Sequence, residues 1–325
     1  MALDPIDEAH ALQIQAGALG RKAGHRFEDT IAAGINAAAY PIAVIERNPP
    51  DLAIGDPATL LLRFIAASLG YGKVHKAHAI STGDLATSEE GVKWLSINGV
   101  NVSRCKSDLV MTLKSGDGRS TSVGISTKQC NNAAPTNAQL YFTTAHGFVN
   151  LLRASGLEVS DSALVALRQF CGEPGFRPAD DTAVMAGRLV DPRRYFWEEI
   201  EVGGRTELEA ILASHQDRVT RLLLQKAYND DPFVPEFLLH KTKKCAAWEL
   251  TEVAIYSIDE LIRRSARYRS FATRAYSVRK GSHKDPPGVQ HLAPRFGIVQ
   301  MQRAASKQHP TQLQFNLEAS YFYKL

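Results

Sequence analysis

Two residues of opposite charge, Asp108 and Lys128, lie at the far ends of two β-rich segments joined by a short turn. The turn contains Ser115-Gly-Asp-Gly, in which two glycines are available for positive φ angles. Antiparallel pairing around this turn brings the start of the first strand beside the end of the second. The two side chains are therefore predicted to lie together at one end of a sheet.

A carboxylate beside an ammonium group suits metal-assisted hydrolysis of a phosphodiester bond. The Asp108 carboxylate would hold Mg²⁺, which prefers oxygen ligands and keeps several waters. The metal would activate a water and offset charge on the phosphate, while Lys128 would orient that water and stabilise developing negative charge. The simpler alternative is an ion pair on a solvated strand edge, which has no catalytic consequence.

The order of helix Glu, strand Asp, turn and strand Lys resembles the PD-(D/E)xK nuclease superfamily and, within it, type II restriction endonucleases. The resemblance rests on Asp108, on Ser126-Thr127-Lys128 in the next strand, and on Glu28, which ends Gly24-His-Arg-Phe-Glu28 in an N-terminal helix. It covers residues 20–150, and the rest of the chain is unassigned by it, although the final segments 297–303 and 312–315 also look like the closing strands of some restriction-enzyme-like proteins.

The chain departs from the family's pattern at two positions. Ser107 precedes the aspartate where the family name has a proline, and Ser126 stands where the second acid is expected. A Ser-x-Lys form occurs in restriction enzymes, with the missing carboxylate supplied from elsewhere. Glu28 is the first candidate for that carboxylate, and Glu89 and Glu90 are the second.

The resemblance implies a Mg²⁺-dependent, sequence-specific endonuclease that cleaves double-stranded DNA and leaves 5′-phosphate ends. Asp108 and Glu28 would hold the metal, Lys128 would position the water, and Ser126 and Gln129 would be neighbours of the site. A symmetric DNA site is usually read by a homodimer. A cognate DNA methyltransferase, which protects the host DNA, would be the genetic partner.

Two alternatives stay open. A degenerate nuclease fold that binds nucleic acid without catalysis is consistent with Ser126 in the acidic position. A repair or defence nuclease that acts on structured DNA or RNA is the other.

Charge is distributed unevenly along the chain. Lysine and arginine number 38 against 34 aspartates and glutamates, a net charge of only +4. Residues 263–307 alone hold eleven basic residues against one aspartate, so the rest of the chain is net acidic. Such segregation is typical of a surface that binds a polyanion. The predicted DNA-binding residues there are Arg263, Arg264, Arg267, Arg269, Arg274, Arg279, Lys280, Lys284, Arg303 and Lys307.

Periodicity of the apolar residues predicts the elements that position these groups. Helices are expected over residues 8–38, with a break near its three glycines, and over residues 58–69, 138–154, 160–172, 206–228 and 249–268. Strands are expected over residues 94–103, 108–113, 121–128, 296–303 and 312–323.

The pattern indicates an α/β (α+β) chain with a restriction-endonuclease-like core. A mixed central sheet is flanked by helices, with a further helical region and a C-terminal β-hairpin. We expect a catalytic core over residues 1–157 and a mainly helical DNA-binding or dimerisation region over residues 158–325. No signal peptide or membrane span is expected, and the four cysteines form no CxxC pair, so the protein is expected in the cytoplasm.

Overall fold

The computed structural model describes residues 7–45, 49–83, 105–186, 188, 191–226, 231, 233–268, 272–277, 290–304 and 310–325. The α-helices in the described residues are α1 Glu8–Ala37, α2 Pro57–Ser68, α3 Ala145–Ala154, α4 Asp161–Cys171, α5 Thr182–Met185, α6 Val202–Ser214, α7 Gln216–Gln225 and α8 Ile258–Ser265. The strands are β1 Ile42–Ala43, β2 Leu52–Gly55, β3 Lys73–Ser81, β4 Leu109–Ser115, β5 Ser120–Gln129, β6 Ala138–Thr144, β7 Phe237–Lys241, β8 Thr251–Ser257, β9 Ala272–Ser277, β10 Gln290–Phe296, β11 Val299–Arg303 and β12 Gln312–Leu317.

The chain forms two compact units, and both are discontinuous in sequence. Unit A contains Leu19–Ala138, Leu224–Arg264 and Glu318–Leu325, and unit B contains Met1–Ala18, Gln139–Leu223 and Ser265–Leu317. Neither unit coincides with residues 1–157 or 158–325, because β7 and β8 pair with the sheet of the first half of the chain. The division of function between those two ranges stays a prediction.

Unit A is built on a seven-stranded mixed sheet with the order β1-β3-β4-β5-β7-β8-β2. Strands β4 and β5 form the predicted antiparallel hairpin. Strand β3, which the sequence pattern did not predict, pairs antiparallel with β4, and β7 joins β5 in parallel. Every second residue of these strands faces helices α1 and α2 in one apolar core. The α1 face is the one that periodicity predicts, since Phe27, Ile31 and Ile35 are all buried.

Unit B contains a five-stranded sheet with the order β6-β12-β11-β10-β9. Aromatic contacts mark its core: Phe148 of α3 packs on Phe315 of β12 with ring centroids 4.9 Å apart, and Phe170 meets Trp197 edge to face at 5.2 Å. The predicted architecture of a mixed sheet flanked by helices, with a hairpin near the C-terminus, is confirmed.

Three of the predicted elements are wrong in detail. Residues 138–144 are strand β6, and residues 251–257 are strand β8, although both were expected in helices. Thr251–Tyr256 is buried on both sides of the sheet, and its apolar run Val253–Tyr256 therefore lacks the alternation that marks a strand. Helix α1 is unbroken, because each glycine costs only about 1 kcal/mol among strong helix formers.

Other predictions concern parts of the chain that have no described structure. The predicted strand over residues 94–103 lies outside the described residues, as do Glu89 and Glu90. Within the described part of the chain, no helix is both long enough and apolar enough to cross a membrane.

A glycine in unit B sets the closest approach of two helices. A Cβ atom on Gly204 would lie 2.2 Å from the Ser162 carbonyl oxygen and 2.8 Å from the Ala163 Cα. We therefore expect Gly204→Ala to lower the free energy of unfolding by roughly 1–3 kcal/mol, because backbone atoms must move apart. Thermal denaturation measures this.

The neighbouring glycine provides a matched control. A Cβ atom on Gly203 would meet only the flexible Glu201 carboxylate, at 3.2 Å. Gly203→Ala should be neutral or stabilising, since alanine is the better helix former by about 1 kcal/mol. Equal destabilisation by both substitutions would contradict the packing argument.

Candidate active site

Asp108 lies immediately before β4, and backbone hydrogen bonds to both neighbouring segments of the sheet hold it in place. Its amide donates to Ile125 O at 2.8 Å, and its carbonyl accepts from Thr82 N at 3.0 Å. Its Oδ2 accepts three hydrogen bonds, from Ser126 Oγ at 3.0 Å, Thr127 N at 2.7 Å and Lys128 Nζ at 3.1 Å. The carboxylate is thus fixed against the end of β5, with its Oδ1 accepting no hydrogen bond from the described residues.

Lys128 and Asp108 meet as the hairpin pairing predicts. The side chain of Lys128 is only 14% exposed and that of Asp108 29% exposed. Nζ of Lys128 also donates to the Thr127 carbonyl oxygen at 2.6 Å. This ion pair is sheltered from solvent, unlike the solvated strand-edge pair of the simpler alternative. The side chains of an exposed pair rotate freely, and salt screens their attraction.

Glu28 of α1 reaches the same place from 80 residues earlier in the chain. Its Oε1 accepts a hydrogen bond from Thr127 Oγ1 at 2.8 Å, and its side chain is only 12% exposed. Burial and, after it, the charge of Asp108 raise the pKa of Glu28 to about 7, against the lowering effects of the hydrogen bond from Thr127 and the charge of Lys128. The structure therefore brings Asp108, Lys128 and Glu28 together.

Two carboxylates are enough protein ligands for Mg²⁺, because this ion usually keeps several waters in its coordination shell. Oδ1 of Asp108 accepts no hydrogen bond, and Oε2 of Glu28 has only His25 Nδ1, at 3.9 Å, among the described residues. A divalent cation between them would also relieve the repulsion that raises the pKa of Glu28. In the described part of the chain, no three His, Cys, Asp or Glu side chains group closely enough to hold a metal ion unaided.

Two residues with no assigned role in the sequence lie close to this cluster. Lys106 is buried, its amide donates to Asp231 Oδ2 at 2.6 Å, and burial, with the charge of Lys128, lowers its pKa to about 7. His240 of β7 pairs in register with Lys128, and burial lowers its pKa to about 3. The imidazole is therefore neutral and adds no charge beside the lysine.

The signal for Lys106 was its position two residues before Asp108. His240 lies 112 residues beyond Lys128, so only the β5–β7 pairing reveals it. The two predicted neighbours also differ in their contacts. Ser126 hydrogen-bonds Asp108 directly, whereas Gln129 faces α1 near Gly24.

The residues of the predicted basic surface fall into four groups, of which the last is the buried Arg303. Arg263 and Arg264 of α8 both pair with Glu260, and Arg264 also binds Asp51 at 2.6 Å. Glu260 lies just outside the window in which the charges were counted. Arg267 is exposed and lies 5.0 Å from the Tyr268 ring. Only the backbone of Arg274 is described, in β9, and the rest lie outside the described residues: Arg269, Arg279, Lys280, Lys284 and Lys307.

Arg303 is only 8% exposed, which does not fit a place on a DNA-binding surface. Its guanidinium donates to the Tyr195 carbonyl oxygen at 3.3 Å and packs against the rings of Phe170 and Phe196 within unit B. A side chain held in this way stabilises the packing of unit B. Its long apolar stem explains why an arginine can be buried in strand β11.

We expect Arg303→Leu to lower the free energy of unfolding by roughly 1–3 kcal/mol, since a charged hydrogen bond is lost from the interior. The salt dependence of DNA binding should stay as in the wild type. Thermal melts and binding titrations measure the two effects. Wild-type stability together with a weaker salt dependence would return Arg303 to the DNA surface.

No protein-family model matches the chain, and no curated protein matches it either. Among solved structures, it is similar to the restriction endonuclease MspI in complex with its cognate DNA. The TM-score is 0.39 and the sequence identity 12%, over 74% of this chain and 70% of that chain. A likeness at this level assigns no function, so the function must be argued from the site.

Proposed function

We propose that the chain is a metal-dependent nuclease that hydrolyses phosphodiester bonds of double-stranded DNA, in the manner of a type II restriction endonuclease. One observation carries the proposal: Asp108, Lys128 and Glu28 converge at one end of the sheet from three separate elements. Two carboxylates beside a sheltered ammonium group suit the hydrolysis of a charged ester.

The residues of the site have distinct tasks in this proposal. Asp108 and Glu28 would hold Mg²⁺, which supplies the acidity that activates a water and offsets charge on the phosphate. Lys128, whose Nζ is held by Asp108 and the Thr127 carbonyl, would orient the water and stabilise the negative charge that develops on the phosphate. Ser126 donates to Asp108 and so orients the carboxylate instead of replacing the second acid.

The test is incubation of the purified chain with phage-genome DNA and Mg²⁺, beside the same reaction in EDTA. Discrete fragments with 5′-phosphate ends, formed only with Mg²⁺, are the expected result. Fragments of random length would instead favour a repair or defence nuclease. Cleavage that persists unchanged in EDTA would contradict the role of the metal.

The second candidate is a nucleic-acid-binding protein without catalysis. Ser126 favours it, because the serine leaves Asp108 as the one carboxylate that the β4–β5 hairpin brings to the candidate site. Salt-sensitive DNA binding without any cleavage would support this candidate. The homodimer and the neighbouring methyltransferase gene stay predictions, which sedimentation and the genomic neighbourhood would test.

A further inference from the structure

Strand β7 ends with a lysine, and two more lysines follow it, at the edge of the sheet where the candidate site lies. Strands β5 and β7 run parallel, with Lys128 opposite His240 and Gln129 opposite Lys241. Both strands therefore end at the same edge. The sequence continues from Lys241 through Thr242 to Lys243 and Lys244, and we call residues 241–244 the lysine arm.

Hydrogen bonds extend the pairing beyond the two strands and fix the lysine arm in place. The amide of Cys130 donates to the Lys241 carbonyl at 2.8 Å, and the amide of Lys244 donates to the Asn132 carbonyl at 2.8 Å. Nζ of Lys241 donates to Asn131 Oδ1 at 3.0 Å. The lysine arm is thus a built continuation of the strand that borders Lys128.

The charge of the lysine arm is only partly balanced. Lys243 pairs with Glu252 at 2.8 Å. Among the described residues, no carboxylate lies within ion-pairing distance of Lys241 or Lys244. Lys244 is exposed. Residues 129–157, which contain the loop hydrogen-bonded to the arm, have no aspartate or glutamate. Uncompensated positive charge in a segment without acids favours an anionic partner.

We propose that Lys241 and Lys244 of the lysine arm bind phosphates of the DNA duplex that flank the bond to be cleaved. This inference rests on the proposed function, because it takes the Asp108–Lys128 end of the sheet as the place of cleavage. The two lysines are three residues apart, at most about 10 Å in an extended chain. Duplex DNA carries one negative charge per about 1.7 Å of axis, so one bound duplex offers phosphates to both.

The experiment is a titration of a fluorescent DNA duplex in EDTA at several KCl concentrations, which separates binding from cleavage. Lys241→Ala and Lys244→Ala should each make the negative slope of log K against log [KCl] less steep by about 0.9, the contribution of one phosphate contact. Lys244→Glu should weaken binding more than Lys244→Ala. Unchanged thermal melts show that the variants are folded.

Lys114→Ala is the matched control. Lys114 is exposed on β4 of the same sheet, six residues beyond Asp108 and so roughly 20 Å from the site. Its removal should leave the slope unchanged. Slopes equal to that of the wild type in both lysine-arm variants would overturn the inference, as would a slope change with duplex RNA and none with duplex DNA.

The behaviour of the wild type separates this inference from the proposed function. Salt-dependent binding that the lysine-arm variants weaken, without cleavage in Mg²⁺, would contradict catalysis and support the lysine arm. Cleavage by the wild type, together with slopes that the lysine-arm variants leave unchanged, would support catalysis and contradict the role of the lysine arm. A wild type that neither binds nor cleaves the duplex would overturn both.

Discussion

Replacing Asp108 with asparagine should lower the rate of Mg²⁺-dependent DNA cleavage on the order of 10³-fold or more. A bound divalent cation contributes several kcal/mol of charge stabilisation in the transition state, and each 1.36 kcal/mol is a factor of ten in rate. Asparagine keeps the shape of the side chain and an oxygen that accepts from Thr127 N. What it removes is the negative charge that the metal and Lys128 require.

Single-turnover cleavage kinetics measure this loss. Asp117→Asn is the matched control, because Asp117 lies in the turn at the opposite end of the same hairpin and its side chain is exposed. Lys128→Ala should cost about 10²–10³-fold, as expected for the loss of one group that stabilises developing charge. Full activity in either Asp108→Asn or Lys128→Ala would remove the hairpin from the active site.

Replacing Glu28 with glutamine should stabilise the metal-free protein at pH 8 by up to about 3 kcal/mol, and by much less at pH 5. The pKa of Glu28 is raised from 4.5 to about 7 in the folded chain. Between these values the folded state binds the proton and the unfolded state does not, so stability from this group falls as the pH rises from 4.5 through 7. Glutamine has no charge to ionise and keeps the acceptor for Thr127 Oγ1.

Thermal denaturation in EDTA between pH 5 and pH 8 measures the difference between the variant and the wild type. Asp29→Asn, which removes the adjacent, exposed carboxylate of α1, is the matched control. Added Mg²⁺ should raise the melting temperature of the wild type more than that of Glu28→Gln, since only the wild type has both carboxylates. A stability difference that is constant across the pH range would contradict the burial of an ionising group.

The hairpin is the part of the site that was accessible from sequence. Strand period and turn chemistry together fix which residues of β4 and β5 face each other, and Asp108 and Lys128 meet as those rules require. Local pattern also fixed the buried face of α1, because Phe27, Ile31 and Ile35 recur at helical spacing. These features depend on neighbours a few residues away, where alternation and helical period act directly.

The remaining features depend on contacts between distant segments. Glu28 and the candidates Glu89 and Glu90 were equivalent by residue type, and the packing of α1 against the sheet placed Glu28 on Thr127. The count of basic residues treated Arg303 as surface charge, but the structure buries it against aromatic rings.

The amino-acid sequence by itself determined the Asp108–Lys128 pair, since a two-residue period and one short turn leave little freedom in a hairpin. Tertiary structure brought Glu28, the first candidate by sequence, to that pair, and it alone showed which lysines border the pair. Glu28 arrives by helix packing, and Lys241 arrives by parallel pairing across more than a hundred residues. Parallel strands need a long crossover, and no local pattern records which strand will return to lie beside which.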